Sequence, residues 1–244
     1  MKNFFKVSVV VVGCLSLPVL SASQSLAPNS VVSVRELSIP ARALGQFQKG
    51  AELLAKKDAQ GSLPHFQRAI KDFAAYYEAY YKMGIADLQL SRADDAEQAF
   101  RKSIELSGNR YAQSMLALGA LLATEQKYTD AEGTLRMALA IDEDSWTGHY
   151  LLAYSLFGLN RLDEAVHDAL EASRAQPDEP KIYLLLADIH GREKDYSAIL
   201  TDLDTYLKLV PEGDTAKAAR ALQETARRLL DETRNTAALA QPQQ

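Results

Sequence analysis

Four histidines, one cysteine and 32 acidic side chains are the groups of this chain that could bind a metal, attack a bond or move a proton. The densest set is Asp188, His190 and Arg192, a carboxylate, an imidazole and a guanidinium close together in the chain. Such a trio supplies the parts of an acid–base centre. On a helix, however, Asp188 and Arg192 share a face at i, i+4 while His190 points elsewhere, so the three do not converge on one reacting atom. No pair among His65, His149, His167 and His190 has metal-ligand spacing with a carboxylate at hand. Asp94-Asp95 and Asp142-Glu143-Asp144 fall at turns and helix starts. There they favour the helix macrodipole rather than form an acid/base pair. No Gly-rich phosphate loop and no Gly-x-Ser-x-Gly elbow occurs. The residues therefore point to no catalytic centre, no metal and no cofactor.

The elements that carry these residues are set by a spacing. Small residues recur at Gly50, Gly84, Gly119, Ala153 and Ala187, at intervals of 34, 35, 34 and 34. A second series follows at Ser62, Ala96, Ala131 and Ala165, closed by Ile199, and a third at Ala69, Ser103, Ala138 and Ala172, closed by Tyr206. Each small residue marks a place where two helices approach so closely that a larger side chain would force them apart. Large apolar residues recur at i, i+3, i+4 and i+7, as in Met115, Leu118, Leu122 and in Leu151, Leu152, Leu156, the stripe of a packed helix. One helical pair cannot bury such a face alone, so neighbours must stack. The extra residue of the 35-residue interval is expected in the turn Ser107-Gly108-Asn109-Arg110, where an insertion costs little.

This pattern resembles the tetratricopeptide repeat family, whose signature runs from a large residue through Leu-Gly, Tyr, Ala, an aromatic and Ala to Pro. The second repeat carries Tyr80, Met83-Gly84, Ala96, Phe100 and Ser103. The third has Met115, Leu118-Gly119, Leu122, Ala131, Leu135 and Ala138. The fourth has His149, Leu152-Ala153, Leu156, Ala165, Ala169, Ala172 and Pro177. The fifth has Tyr183, Leu186-Ala187, Leu203, Tyr206 and Pro211, and a weaker first has Gly50, Leu53, Ser62, Phe66 and Ala69. The family's Trp is never present, and its Pro is replaced by Ala74, Gly108 and Glu143 in three repeats. The resemblance implies an all-α, right-handed superhelical solenoid of five helix–turn–helix repeats, near 43–76, 77–111, 112–145, 146–179 and 180–213. It also places His149 and His190 at packing positions. A capping helix over 214–233 follows, begun by Asp214 and striped by Ala219, Leu222, Ala226 and Leu229. Residues 234–244 are polar and Gln/Ala-rich, and are expected to be a disordered tail.

The resemblance also implies a function, the binding of a protein or peptide on the concave face. Carried over, that face comprises Leu44, Phe47, Ala51 and Leu54, then Glu78, Tyr81, Ile85 and Leu88, then Gln113, Leu116, Ala120 and Ala123. Thr147, Tyr150, Tyr154 and Phe157 follow, and then Lys181, Leu184, Asp188 and Arg192. The candidate partner-binding residues are Phe47, Tyr81, Leu116, Ala120, Tyr150, Tyr154, Phe157, Leu184, Asp188 and Arg192. Tyr150, Tyr154 and Phe157 form one stripe, which with the small Ala120 and Ala123 offers a shelf and a hollow for an apolar side chain. Two readings stay open: the rings bind a partner, or they pack between adjacent repeats. The two-carboxylate clamp of chaperone-binding members does not fit. Its Lys position holds Phe47, Tyr81, Leu116, Tyr150 and Leu184, and its Asn position holds Ala51, Ile85, Ala120, Tyr154 and Asp188. A helix in a groove or an extended apolar peptide is expected instead. The alternative is a structural component of a cell-envelope assembly, joined through convex faces or by self-association.

The formal charge of −5 and the lack of a long basic stripe argue against nucleic acid as partner. Residues 1–23 read as the signal peptide of an exported bacterial protein. Lys2 and Lys6 precede an apolar run from Val7 to Leu20, and Ser21-Ala22-Ser23 offers a cleavage site before Gln24. The run is too short to span a bilayer comfortably, so no integral span is expected in the mature chain, which would be periplasmic or secreted. Val11-Val12-Gly13-Cys14 is a weak lipobox that would attach lipid to Cys14. Otherwise Cys14, the one cysteine, leaves with the signal. Residues 24–40 are a Ser/Pro/Asn/Val-rich linker in which Val31-Val32-Ser33-Val34 is a possible strand.

Overall fold

The structure, a computed structural model, describes residues 39–239. The expected signal peptide, Cys14, and the linker to residue 38 with its Val31–Val34 segment lie outside the described residues, as do residues 240–244. Among the described residues there are eleven α-helices and no strand: α1 (Ala41–Ala55), α2 (Ala59–Asp72), α3 (Tyr77–Gln89), α4 (Ala93–Leu106), α5 (Ala112–Thr124), α6 (Tyr128–Leu139), α7 (Trp146–Gly158), α8 (Leu162–Ala175), α9 (Pro180–Glu193), α10 (Tyr196–Leu209) and α11 (Asp214–Leu239). They fall into two compact units, the chain passing from one to the other between Glu143 and Asp144. In the first, α1 packs on α2, α3 on α4 and α5 on α6, and successive pairs touch through α2·α3 and α4·α5. In the second, α7 packs on α8, α9 on α10, and α10 on α11, with α8·α9 joining the pairs. The helix–turn–helix repeats read from the spacing are thus present.

The turn inside each pair has one design. Lys57, Ser91, Gln126, Asn160 and Lys194 all take left-handed backbone, with φ between 58° and 64°. The next amide then donates back to a carbonyl five residues earlier, as from Asp58 to Leu53 at 2.9 Å and from Arg161 to Leu156 at 2.9 Å. This closes the preceding helix with a Schellman-type bond. No Gly occupies these positions, so each repeat carries some left-handed strain. Between α4 and α5, Gly108 and Asn109 are both left-handed, with φ of 61° and 58°. The extra residue of the longer interval sits in the expected Ser107–Arg110 turn. Side chains start three helices: Asp58 accepts from the Gly61 amide, Ser145 from Gly148 and Asp195 from Ala198.

The small-residue series has a direct steric reading. A Cβ built on Gly50 would lie 2.7 Å from the Phe66 ring, one on Gly84 2.6 Å from the Phe100 ring, and one on Gly119 2.6 Å from Leu135. The missing side chain on each first helix makes the hole that a large residue of the second helix fills. Phe66, Phe100 and Leu135 are fully buried there. In the second unit the matching positions are Ala153 with Ala169 and Ala187 with Leu203, all buried.

The last helix differs from expectation at both ends. The Gly213 carbonyl accepts the first helical bond, from the Lys217 amide at 3.1 Å, so Gly213 holds the cap position and Asp214 lies in the first turn. Its carboxylate there faces the helix dipole and takes a bond from Lys217 at 3.0 Å. The C-terminus lies at Leu239 rather than near 233, so the tail expected to be disordered from 234 begins as helix. No Gly or Pro interrupts the chain before Pro242, and the Thr233 and Thr236 hydroxyls bond back to the Leu229 and Glu232 carbonyls. The expected stripe is largely inward. Ala219 and Ala226 are buried, Leu222 packs on the terminal core and Leu229 is half-buried.

Candidate functional site

Six of the ten sequence-selected residues come from α7 and α9, two helices in contact within the second unit that can be described together. The helical period puts Trp146, Tyr150, Tyr154 and Phe157 on one face of α7, and Lys181, Asp188 and Arg192 on one face of α9. The Lys181 Nζ stands 4.7 Å from the centre of the Trp146 ring and 5.0 Å from that of Tyr150. At the other end, the Arg192 guanidinium lies 4.4 Å over the Phe157 ring and donates to Asn160 Oδ1 at 3.3 Å. Two cations thus bracket the face, each held against a π-system. Between them Asp188 is half-buried. Burial pushes its carboxyl up to about 7, against the opposing pull of Arg192. Burial likewise lowers Lys181 and raises the Tyr150 hydroxyl, which also feels Tyr154, Glu179 and Asp188.

Exposure divides the candidates. Tyr150 is 6% exposed, so it forms the floor of this face. Tyr154, Phe157 and Asp188 are half-buried and Arg192 is exposed. Leu184 turns toward the terminal core, where it packs against the cluster of Ala187, Ile199, Leu203 and Tyr206. In the first unit the candidates are drawn into packing. Phe47 is half-buried with its ring 4.9 Å from Tyr76 and 6.0 Å from Phe66. Tyr81 is buried 6.1 Å from Phe100 and 5.5 Å from Tyr111, and burial pushes its hydroxyl up to about 12. Leu116 and Ala120 are buried on α5, nearly all of whose residues are covered.

Sequence reasoning missed Trp146 and Asn160. Trp146 lies one turn before Tyr150 and extends the aromatic stripe, a signal that was present in the spacing. Asn160 occupies the left-handed turn position and reaches Arg192 across 32 residues, which no local pattern reveals.

Three of the four histidines are tethers, and His167 is exposed on α8. His149 Nδ1 donates to Asp168 and His190 Nδ1 to Asp202, each at 2.7 Å, tying the first helix of a repeat to its second. The Asp202 carboxylate raises His190 above its ordinary value. His65 Nδ1 bonds Gln46 at 2.8 Å in the same manner. The trio Asp188, His190 and Arg192 is therefore dispersed, as helical geometry requires. Among the described residues no three His, Cys, Asp or Glu side chains gather as metal ligands, and no helix is long and apolar enough to cross a membrane.

The helical hairpins and the fit of small residues to large ones coincide with a known repeat. Residues 47–111, 81–145 and 150–213 each match the family model described as tetratricopeptide repeat, together more than half of the chain. The chain belongs to the tetratricopeptide repeat family. Proteins of this family mediate protein–protein interaction, and no enzyme family is indicated. A curated relative, anaphase-promoting complex subunit 3 of Schizosaccharomyces pombe, is 26% identical over 141 residues. That segment covers 58% of this chain and 21% of the relative, so the chain spans about a fifth of that protein's length. Among solved structures, MamA from Desulfovibrio magneticus RS-1 (residues 41 to the end) is 20% identical, with a TM-score of 0.66 over 72% of this chain and 99% of its own. YrrB, described as a tetratricopeptide protein with an unusual peptide-binding site, is 17% identical, with a TM-score of 0.62 over 73% of this chain and 92% of its own. At these identities the structural likenesses show the fold.

Proposed function

We propose that this protein is a non-catalytic interaction scaffold that holds a peptide or helix of a partner protein on its first-helix face. The part most open to a partner is the α7–α9 face, with Tyr154 and Phe157 as its apolar seat. The observation that carries the reading is a set of half-buried rings and charged groups that the unit's own packing leaves partly open, whereas Tyr81, Leu116 and Ala120 are spent on the core. Large aromatic surface with adjacent polar anchors is the usual material of interaction hot spots. YrrB's described peptide-binding site gives the reading a precedent on the same fold. The test is affinity capture with Tyr154→Ala/Phe157→Ala beside the parent chain. The expected result is at least tenfold weaker capture at unchanged helical circular dichroism. Undiminished capture would place the interface elsewhere.

The rival, a structural component joined through other faces, draws on Met137 and Ile141. These lie four residues apart, Met137 on α6 and Ile141 just past its end, at 43% and 45% exposure. It predicts instead that Met137→Ser/Ile141→Ser, and not the ring variants, loses the partner. We further propose export to a bacterial envelope, on the strength of Lys2, Lys6 and the Val7–Leu20 run. Intact-mass analysis of the protein from envelope fractions distinguishes a chain starting at Gln24 from one lipidated at Cys14, and an uncleaved Met1 form would overturn export.

A further inference from the structure

Interaction in general leaves one feature of the α7–α9 face without a cause. Asp188 projects from the middle of α9 with a half-buried carboxyl, and among the described residues that carboxyl makes no hydrogen bond and no ion pair. Of the cations of its own helix, Lys181 is laid on the Trp146 and Tyr150 rings, and Arg192, which pulls on the carboxyl without bonding it, is held on Phe157 and Asn160. A polar group withdrawn from water without a partner costs free energy. The cost shows in the raised pKa of this carboxyl, which burial moves from 3.8 to about 7. A chain selected only to fold has cheap alternatives here, since Asn or Ser keeps the helix and sheds the charge.

The chemistry of an occupant follows by comparing three cases. An apolar side chain laid over Asp188 would bury the carboxyl further and still leave it unpaired. An acidic side chain would meet Asp188 and Glu179, while Lys181 and Arg192 are already turned to π-faces. A cationic side chain supplies the missing donor, pairing with the carboxyl in a partly desolvated site. We propose that the α7–α9 face seats its partner through a lysine or arginine side chain placed on Asp188, with an apolar side chain one turn away on Tyr154 and Phe157. This inference rests on the scaffold reading above and names the chemistry of its partner.

The test is selection of a random peptide display library on the immobilised full chain at pH 8, in three forms: parent, Asp188→Asn and Tyr154→Ala. Circular dichroism establishes that all three are folded. The parent is expected to enrich peptides in which Lys or Arg stands three or four positions from Leu, Ile, Met or Phe. Asp188→Asn should keep the apolar preference and lose the cationic one. A selected peptide, followed by fluorescence anisotropy, should bind about tenfold more weakly to Asp188→Asn, and equally so when its own Lys is changed to Gln. Enrichment of Asp or Glu, or equal cationic enrichment on Asp188→Asn, overturns the proposal. Peptides lost on Tyr154→Ala but indifferent to Asp188→Asn sink the cation seat and leave the scaffold reading standing. No enrichment on the folded parent sinks both.

Discussion

The two units solve the same packing problem with different side chains. In the first, glycine at 50, 84 and 119 admits Phe66, Phe100 and Leu135, and the rings of α1 and α3 join them: Phe47 meets Phe66, and Tyr81 meets Phe100. In the second, alanine replaces glycine at 153 and 187, and the opposing residue of the fourth repeat shrinks to Ala169. The aromatic residues of α7 stack against cations from α9 rather than on a ring of α8. The position held by Tyr81 and Leu116 is buried in both units, as Tyr150 in the second, while the next position along the face is buried as Ala120 in the first and half-buried as Tyr154 and Asp188 in the second. An inward-facing residue of a repeat is available for binding only where the second helix of its pair leaves the volume filled without it.

The sharpest way to break the comparison is at the glycine–ring fit. Phe100→Ala, fully buried against Gly84, should lower stability by about 3–5 kcal/mol in denaturant unfolding, the range for deleting a buried phenyl group. Gly84→Ala forces a Cβ into the Phe100 ring and should cost about 1–3 kcal/mol. Ala153→Gly, in the second unit, should cost only the roughly 1 kcal/mol of helix propensity. Equal losses for Gly84→Ala and Ala153→Gly would erase the distinction between the units.

A smaller effect concerns the turns. Gln126 has φ of 60°. Gln126→Gly removes the left-handed strain at the expense of unfolded-state entropy, so the net gain should be about 0.5–1 kcal/mol by the same unfolding measurement.

The smallest and most specific effect is in pH. Asp188 has a folded pKa near 7, above the 3.8 of an ordinary Asp, so the folded state favours its protonated form. The titratable groups that interact with it are Arg192 on its own helix and Tyr150 from α7. By linkage, stability is lost as pH rises from 3.8 to about 7, and the loss is complete above that. Asp188→Asn should therefore melt higher than the parent at pH 8, with the gap closing as pH falls toward 4. His190 runs the same way for the opposite reason. Its pKa is raised by Asp202, so its contribution is full below 6.5 and is lost as pH rises through the folded value. Melting curves of His190→Gln should show a flatter pH dependence than those of the parent. A variant at Asp188 that is more stable yet binds less is the pattern expected of a residue kept for function.

Much of this molecule is legible in the order of its residues. The period of Gly50, Gly84, Gly119, Ala153 and Ala187 sets helix pairs and their contacts, because a packed helix needs a small residue wherever another crosses it closely. The inserted residue near Gly108 was legible because it shifts that period by one position. The failure of Asp188, His190 and Arg192 to converge was legible because they lie on one helix, whose geometry is local. Tertiary structure decided the rest. Ala120 and Tyr154 occupy equivalent register positions, yet Ala120 is buried and Tyr154 half-buried, because what covers a side chain comes from other helices. The partners Asp168 and Asp202 of the histidines, and Asn160 for Arg192, are likewise settled across helices. Helix formation and pair packing repeat with the sequence period and can be read from it. Exposure and pairing depend on the sum of distant neighbours, which no single stretch of sequence contains.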